Sequence, residues 1–293
     1  MSLGRLPSRG SEVRSLGLAL PPAALGGRDG RPAGMWPTRD RRPLKRWRYA
    51  GVFGPRLMLC VGEARIGPVP QRWWAIAEPG RPLVERTTIG RGGVRLEGSR
   101  VTVEAERVRV AIELEEGVSC QPVEVVSPSG HGDAYAWTRK QAGVPARGVV
   151  VVEGRRHVVD CEAIVDDSAG YHERHTAWRW SAGVGRAASG ERIGWNLVAG
   201  IHDDARASER TLWIDGEPRE LGPVAFADDL SSVSFHEGGA LELSEWSVRA
   251  NRTNLLVLRS CYRQPFGTFL GQLPGGLRLT EGYGVMECHD VRW

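Results

Sequence analysis

Three stretches of this sequence carry residue types that can move protons or hold a ligand. The C-terminal run Val285-Met-Glu287-Cys-His289-Asp-Val-Arg-Trp293 places Val285, Glu287, His289, Val291 and Trp293 on one face if it is extended. A carboxylate and an imidazole on one face beside Trp are candidates for general acid and base near neutral pH, with a solvent-facing rim as the competing role. A buried His289 needs a hydrogen-bond partner, and Glu287 is the nearest candidate on its face. The second stretch, Tyr171-His172-Glu173-Arg174-His175, has the outline of a metal motif but not its spacing. On a strand, positions three apart point to opposite faces, so His172 and His175 do not converge on one ion, and no metal is expected. His175 opens the strand carrying Trp178 and Trp180; it is a candidate acid–base group only if a bend turns it from the face it shares with Arg179. The third stretch, Tyr262-Arg-Gln264-Pro-Phe266-Gly267, has the aromatic–polar–aromatic order of a pocket mouth.

The chain holds 11 Trp, and Trp178, Trp180, Trp195, Trp213 and Trp246 fall in its second half. Large aromatic side chains line apolar pockets and also fill cores. Trp178, Trp180, Trp195 and Trp213, with Tyr262 and Gln264, are the expected ligand-binding set, and His175, Glu287 and His289 the expected catalytic set. No cofactor signature accompanies them. Gly90-Arg-Gly-Gly and Leu273-Pro-Gly-Gly lack the following helix that a phosphate cradle requires, and no Gly-x-Ser-x-Gly elbow occurs.

The elements that must position these residues are strands. Val101-Thr-Val-Glu and Val108-Arg-Val-Ala-Ile-Glu-Leu alternate with period two. Further strand-like runs cover residues 56–61, 73–77, 94–96, 149–152, 157–164, 241–248, 254–262, 277–279 and 285–293. Asp215-Gly216, after Thr211-Leu-Trp-Ile, predicts a tight hairpin with positive φ at both residues. Helical periodicity is nearly absent, and Gly and Pro cut every long window. The fold class is therefore all-β. A phrase repeats: Trp47-Arg-Tyr49-Ala-Gly-Val and Trp178-Arg-Trp180-Ser-Ala-Gly-Val. A second echo links Trp74-Ala-Ile-Ala and Glu85-Arg-Thr to Trp195-Asn-Leu-Val-Ala and Glu209-Arg-Thr. The repeat is too long for a solenoid unit and suits one antiparallel β-barrel or sandwich per copy. The expected organisation is an extended or disordered lead-in over 1–43, rich in Gly, Pro, Arg and Ser, then units at 44–160 and 161–293.

The 293 residues carry a formal charge of +4. Residues 1–48 hold eleven basic and three acidic side chains, so the remainder is mildly acidic, which argues against nucleic acid as a partner. The 5 Cys are odd in number and have no Cys-x-x-Cys pair, which fits reduced thiols and a cytoplasmic location. No apolar run approaches the roughly 20 residues that span a bilayer, so no integral membrane segment is expected.

From about residue 43 onward the phrasing resembles the bacterial family known as domain of unknown function 2804. The phrases that carry the resemblance include Pro43-Leu-Lys-Arg-Trp-Arg-Tyr, Ala136-Trp-Thr-Arg-Lys-Gln, Asp166-Asp-Ser-Ala-Gly-Tyr-His, Gln264-Pro-Phe-Gly-Thr-Phe and Gly282-Tyr-Gly-Val-Met-Glu-Cys-His. More distantly, the paired β halves with Trp-x-Trp phrases resemble the two-barrel, lipocalin-like group of carotenoid hydratases and related cyclases. That resemblance implies lipocalin-like barrels and an apolar ligand in a barrel mouth or in the cleft between barrels. It transfers no catalytic residue. The functional expectation is a binder of a small apolar molecule in a Trp-lined pocket of the second barrel or the inter-barrel cleft. The alternatives are a cofactor-independent hydratase, isomerase or cyclase using His/Glu acid–base chemistry, and a carbohydrate-binding or carbohydrate-active β-protein.

Overall fold

A computed structural model describes residues 14–15, 35–66, 69–129, 134–204, 208–254 and 259–292. Most of the expected lead-in lies outside them. Its described part is the short strand β1 (Arg14–Ser15) and the hairpin β2 (Thr38–Arg39) and β3 (Arg42–Pro43). The hairpin is docked rather than loose: Met35 is buried beside Leu44, Tyr135 and Tyr171, and the Tyr171 hydroxyl donates to the Trp36 carbonyl at 2.8 Å.

The remaining strands of the first half are β4 (Lys45–Phe53), β5 (Met58–Ile66), β6 (Val69–Ala77), β7 (Val84–Ile89), β8 (Val94–Glu97), β9 (Arg100–Ala105), β10 (Val108–Leu114), β11 (Val123–Pro128), β12 (Tyr135–Val152) and β13 (Arg155–Gly170). The second half contains β14 (His175–Ala187), β15 (Arg192–Ala199), β16 (Thr211–Ile214), β17 (Glu217–Glu220), β18 (Val224–Phe226), β19 (Ser232–Phe235), β20 (Ala240–Asn254), β21 (Arg259–Gln272) and β22 (Arg278–Arg292). Among the described residues there is no α-helix, and no helix is long and apolar enough to cross a membrane.

The alternation read from the sequence appears in burial: along β10, Val108, Val110, Ile112 and Leu114 are buried and the residues between them exposed. Asp215 and Gly216 have φ of 51° and 87° and turn β16 into β17, as the dipeptide predicts. Of the expected run 254–262, Asn254 ends β20 and residues 259–262 open β21, while residues 255–258 lie outside the described residues. The runs at 277–279 and 285–293 fall within one strand, β22, over residues 278–292, which continues through Gly282 and Gly284; Trp293 lies outside the described residues. A Cβ at Gly284 would lie 2.3 Å from the Ala182 carbonyl oxygen, so this glycine marks a close approach of backbones rather than a break.

Each half is a curled sheet, antiparallel except where β1 pairs parallel with β11, and the orders of the main strands correspond. The first runs β7-β6-β5-β4-β13-β12-β10-β9-β8, with β11 pairing alongside β12; the second runs β17-β16-β15-β14-β22-β21-β20-β19-β18. Place for place, β4 matches β14 and β13 matches β22. Trp47 and Trp178 therefore lie on corresponding strands, opposite Ser168 and His289 respectively. The second echo does not mark equivalent positions. Trp74 is on β6, the counterpart of β16, whereas Trp195 is on β15, the counterpart of β5. A buried Trp followed by small and aliphatic residues suits any strand of a curled sheet, so that phrase carries no register. The chain passes between the sheets across residues 171–174, and the expected division at 160 falls inside β13.

One apolar cluster extends across both sheets, from Val52, Ile76 and Val110 to Trp180, Trp213 and Val285; a second fills the interior of the other half around Trp195 and Phe269. The join is tight. A Cβ on Gly194 of β15 would come within 2.8 Å of the Ala142 Cβ on β12. The Trp213 indole donates to the Gln121 carbonyl at 2.7 Å, and the Gln121 amide to the Gly216 carbonyl at 3.0 Å.

Candidate functional site

The central strands β4, β13, β14 and β22, matched between the halves, form the core of the site. Alternation along β4 sends Lys45, Trp47 and Tyr49 to one face, and alternation along β14 sends Thr176, Trp178 and Trp180 to the matching face. Asp166 of β13 and Glu287, His289 and Val291 of β22 lie in register beside them. These faces enclose a cavity of about 240 Å³ between the sheets, closed further by Trp73, Tyr262, Ile201 and Arg249. Tyr49 and Trp180 meet edge to face at 5.6 Å where the halves join.

Two polar clusters interrupt the aromatic lining. In the first, Trp178 Nε1 donates to Glu287 Oε1 at 2.8 Å and Gln264 Nε2 donates to Glu287 Oε2 at 3.0 Å. Burial pushes the Glu287 carboxyl up to about 7, against hydrogen bonding from Trp178 and Tyr262 and the charge of Arg249, and the charge of Asp166 adds to the rise. What remains accessible of Glu287 lines the cavity. His289 Nε2 and Ser260 Oγ share a hydrogen bond at 2.8 Å, and the imidazole packs on Trp178 and Tyr262 at 4.5 and 5.2 Å. Burial, then the nearby Arg249 charge, lowers His289 to about 4, so it is neutral at pH 7. Arg249 crosses from β20 to the first sheet, bonding Glu85 at 2.8 Å and Thr87 at 2.9 Å, with its guanidinium 5.0 Å from the Tyr262 ring centre.

The second cluster joins the halves. Lys140 Nζ lies 2.5 Å from Asp166 Oδ1 and 3.4 Å from Glu209 Oε1, and His202 Nδ1 lies 3.2 Å from Glu209 Oε2. Burial opposes ionisation of Glu209, yet Lys140 and the His202 hydrogen bond outweigh it and hold the carboxyl at about 2. Asp166 shares the same lysine, and burial raises it. His172 stacks on Trp47 at 5.3 Å and tilts onto His202 at 5.3 Å. Burial, then His202 and Lys45, keeps the His172 imidazole neutral. Lys45 itself is lowered to about 7 by burial and Arg42.

Of the residues singled out from sequence, Glu287, His289, Trp178, Trp180 and Tyr262 line this cavity, and Gln264 is fully buried directly behind Glu287. Three do not reach it. His175 is 61% exposed and pairs with Asp290 at 2.9 Å, because no bend moves it from the outer face. Trp195 is enclosed inside the second half, donating to Ser181 Oγ at 3.0 Å and packing on Phe269 at 5.1 Å. Trp213 belongs to the join, through its bond to Gln121. Glu287 is not the partner of His289: residues two apart on a strand stand roughly 7 Å from each other, and Ser260, the diagonal neighbour on β21 in register with Val291, is within reach. Sequence reasoning missed Trp47, Tyr49, Trp73 and Arg249, and the whole Lys140–Asp166–Glu209–His202 group. The signal for Trp47 and Tyr49 was present in the repeated phrase, since aromatic residues equivalent to Trp178 and Trp180 face the same cavity once the copies pack together. Among the described residues no three His, Cys, Asp or Glu converge as metal ligands.

A family model described as "Domain of unknown function (DUF2804)" matches residues 85–293. Among solved structures, one described as AttH from Nitrosomonas europaea superposes with a TM-score of 0.55 at 14% identity, covering 86% of this chain and 93% of that one. Kievitone hydratase from Nectria haematococca superposes with a TM-score of 0.53 at 11% identity, covering 83% of this chain and 88% of that one. At these identities the likeness is one of fold. No curated protein matches the sequence.

Proposed function

We propose, from the premise that this chain belongs to the DUF2804 family, that it binds an apolar small molecule in the inter-sheet cavity and transforms it by proton transfer without a cofactor. The reaction belongs to the hydratase, isomerase or cyclase class. The observation that supports this best is Glu287, a buried carboxyl raised to about 7 on an otherwise aromatic wall. A carboxyl poised there holds its proton near neutral pH and can release it to an apolar substrate. The Trp178 N–H and the Gln264 amide are already placed on its two oxygens, so the carboxylate left behind is stabilised without rearrangement. The Trp47, Trp73, Trp178 and Trp180 side chains line the cavity and supply apolar contact area for the bound molecule. Neutral His289, held by Ser260, orients the substrate or accepts a proton. Kievitone hydratase has this architecture, and the hydratase alternative is in keeping with that likeness. The five unpaired cysteines fit a reducing compartment, and a cytoplasmic location is part of this proposal.

The test uses the neutral apolar fluorophore N-phenyl-1-naphthylamine. Saturable binding at one molecule per chain, with quenching of tryptophan emission and an affinity about tenfold weaker in Trp178→Ala, is expected. Absence of saturable binding, or an affinity indifferent to Trp178, refutes the cavity as a ligand site. Native mass spectrometry of the protein from its own host then identifies the retained molecule, and its turnover by wild type and Glu287→Gln tests the proton transfer.

A further inference from the structure

The correspondence that repeats Trp47 as Trp178 also repeats a carboxyl group. Asp166 on β13 stands in register with Tyr49 on β4, and Glu287 on β22 stands in register with Trp180 on β14. The two acids thus occupy the same place on matching central strands, and both line the cavity. Their register partners, Tyr49 and Trp180, touch at 5.6 Å. Only the flank differs. The residue beside Asp166 on β12 is Lys140, whose ammonium is 2.5 Å away. The residue beside Glu287 on β21 is Gln264, an uncharged amide at 3.0 Å. Burial raises both acids, but a cation beside Asp166 opposes that rise and favours its carboxylate, whereas the amide beside Glu287 carries no charge; acids in such unlike settings can divide into a proton acceptor and a proton donor.

We propose that Asp166 and Glu287 form a two-carboxyl acid–base pair across the cavity, Glu287 delivering a proton to an apolar unsaturated substrate and Asp166 removing one from it. This assignment rests on the cavity being the ligand site. Glu287 gives its O–H proton to one end of a π system. The π pair forms the new C–H bond there, and the C–H electron pair on the carbon next to the other end becomes the new π bond as the Asp166 carboxylate takes that proton. The substrate keeps its formula and leaves as a double-bond or ring-closed isomer. The net transfer of one proton from Glu287 to Asp166 is reversed by exchange with bulk water. The charged and titratable groups facing Glu287 are Arg249 from β20, Tyr262 from β21, Tyr49 and Cys60 from the first sheet, and Asp166 itself. Those facing Asp166 are Lys140, Glu209 and His202, with Glu287 across the cavity.

The experiment is infrared difference titration of buried carboxyl groups in the full, ligand-free chain. Wild type is expected to show a protonated carboxyl band with a midpoint near neutral pH that is absent in Glu287→Gln. In Asp166→Asn the band remains and its midpoint falls by about one pH unit, because a negative charge across the cavity has gone. Should Asp166→Asn fail to fold, the reciprocal measurement reads the same coupling: the Asp166 midpoint falls in Glu287→Gln. A Glu287 midpoint in the ordinary carboxylate range, or one unmoved by Asp166→Asn, overturns the pair. Because no ligand is present, that outcome leaves the cavity reading standing, whereas failure of fluorophore binding removes the ligand site itself. With 3-cyclohexenone, a minimal apolar ketone carrying a mobile double bond, conversion to the conjugated isomer is expected to fall about 100-fold in both variants. A fall confined to Glu287→Gln makes Asp166 structural and also overturns the pair.

Discussion

Replacing Glu287 by Gln is expected to change how stability depends on pH rather than simply to lower it. The carboxyl sits at about 7 in the folded protein against an ordinary 4.5, with burial as the main cause. Between those values the native state holds a proton that the unfolded chain has released, so native stability falls as pH rises. At about 1.4 kcal/mol per pH unit, the loss reaches about 3 kcal/mol by pH 7.5 and is constant above it. His289 works in the opposite sense. Its folded value of about 4 lies below the ordinary 6.5, so the unfolded chain binds the extra proton and stability rises with pH through that window. The wild-type curve therefore conceals both effects, and the difference between wild type and Glu287→Gln isolates one. Gln keeps an oxygen for the Trp178 N–H and cannot ionise; any misfit with the Gln264 amide adds an offset that does not vary with pH. The variant is expected to gain on wild type by about 3 kcal/mol between pH 4.5 and pH 8. Urea denaturation followed by far-ultraviolet circular dichroism at pH steps over that range measures it. A difference that stays constant with pH would show that Glu287 is not held protonated, and the donor role would go with it.

Other substitutions separate site from scaffold. Trp195→Ala, inside the second half, is expected to cost about 4 kcal/mol in urea denaturation and to leave fluorophore affinity per folded molecule unchanged, the reverse of Trp178→Ala. His289→Ala is expected to weaken fluorophore binding equally at pH 6 and pH 8, since the imidazole is neutral at both, with only a modest fall in Tm. A collapse of stability at unchanged affinity would instead make His289 structural. Gly216→Ala places a Cβ at φ 87° within 2.1 Å of the Ser119 carbonyl oxygen and is expected to cost roughly 3 kcal/mol. Gly190→Ala, at φ 104° with open space around it, is expected to cost roughly 1 kcal/mol by the same measurement.

Period-two alternation, the scarcity of helical spacing and the Asp215-Gly216 dipeptide sufficed to read an all-β chain and one of its hairpins, because these are local properties of backbone and side chain. The Trp47/Trp178 phrase was enough to read duplication, and alternation correctly grouped Trp178 with Trp180 and Glu287 with His289. Local spacing also put His175 on the outer face. It could not separate Trp195 and Trp213 from the cavity tryptophans, since a strand face is apolar whether it meets a core or a ligand.

What only the tertiary structure decided is which faces oppose each other. A period of two assigns side chains to one of two faces, but it does not say whether that face closes its own barrel or meets the other copy. The packing of β4 against β14 and β22 makes the cavity lie between the halves, so part of its wall comes from first-sheet residues such as Trp47, Tyr49 and Trp73. The polar partners depend on the same packing. Arg249 with Glu85, Lys140 with Glu209 and His289 with Ser260 are remote in sequence and adjacent only after the sheets curl and pair. The shifted ionisation of Glu287 follows from that arrangement, because it is set by the water removed and the charges brought near when the two halves close over it.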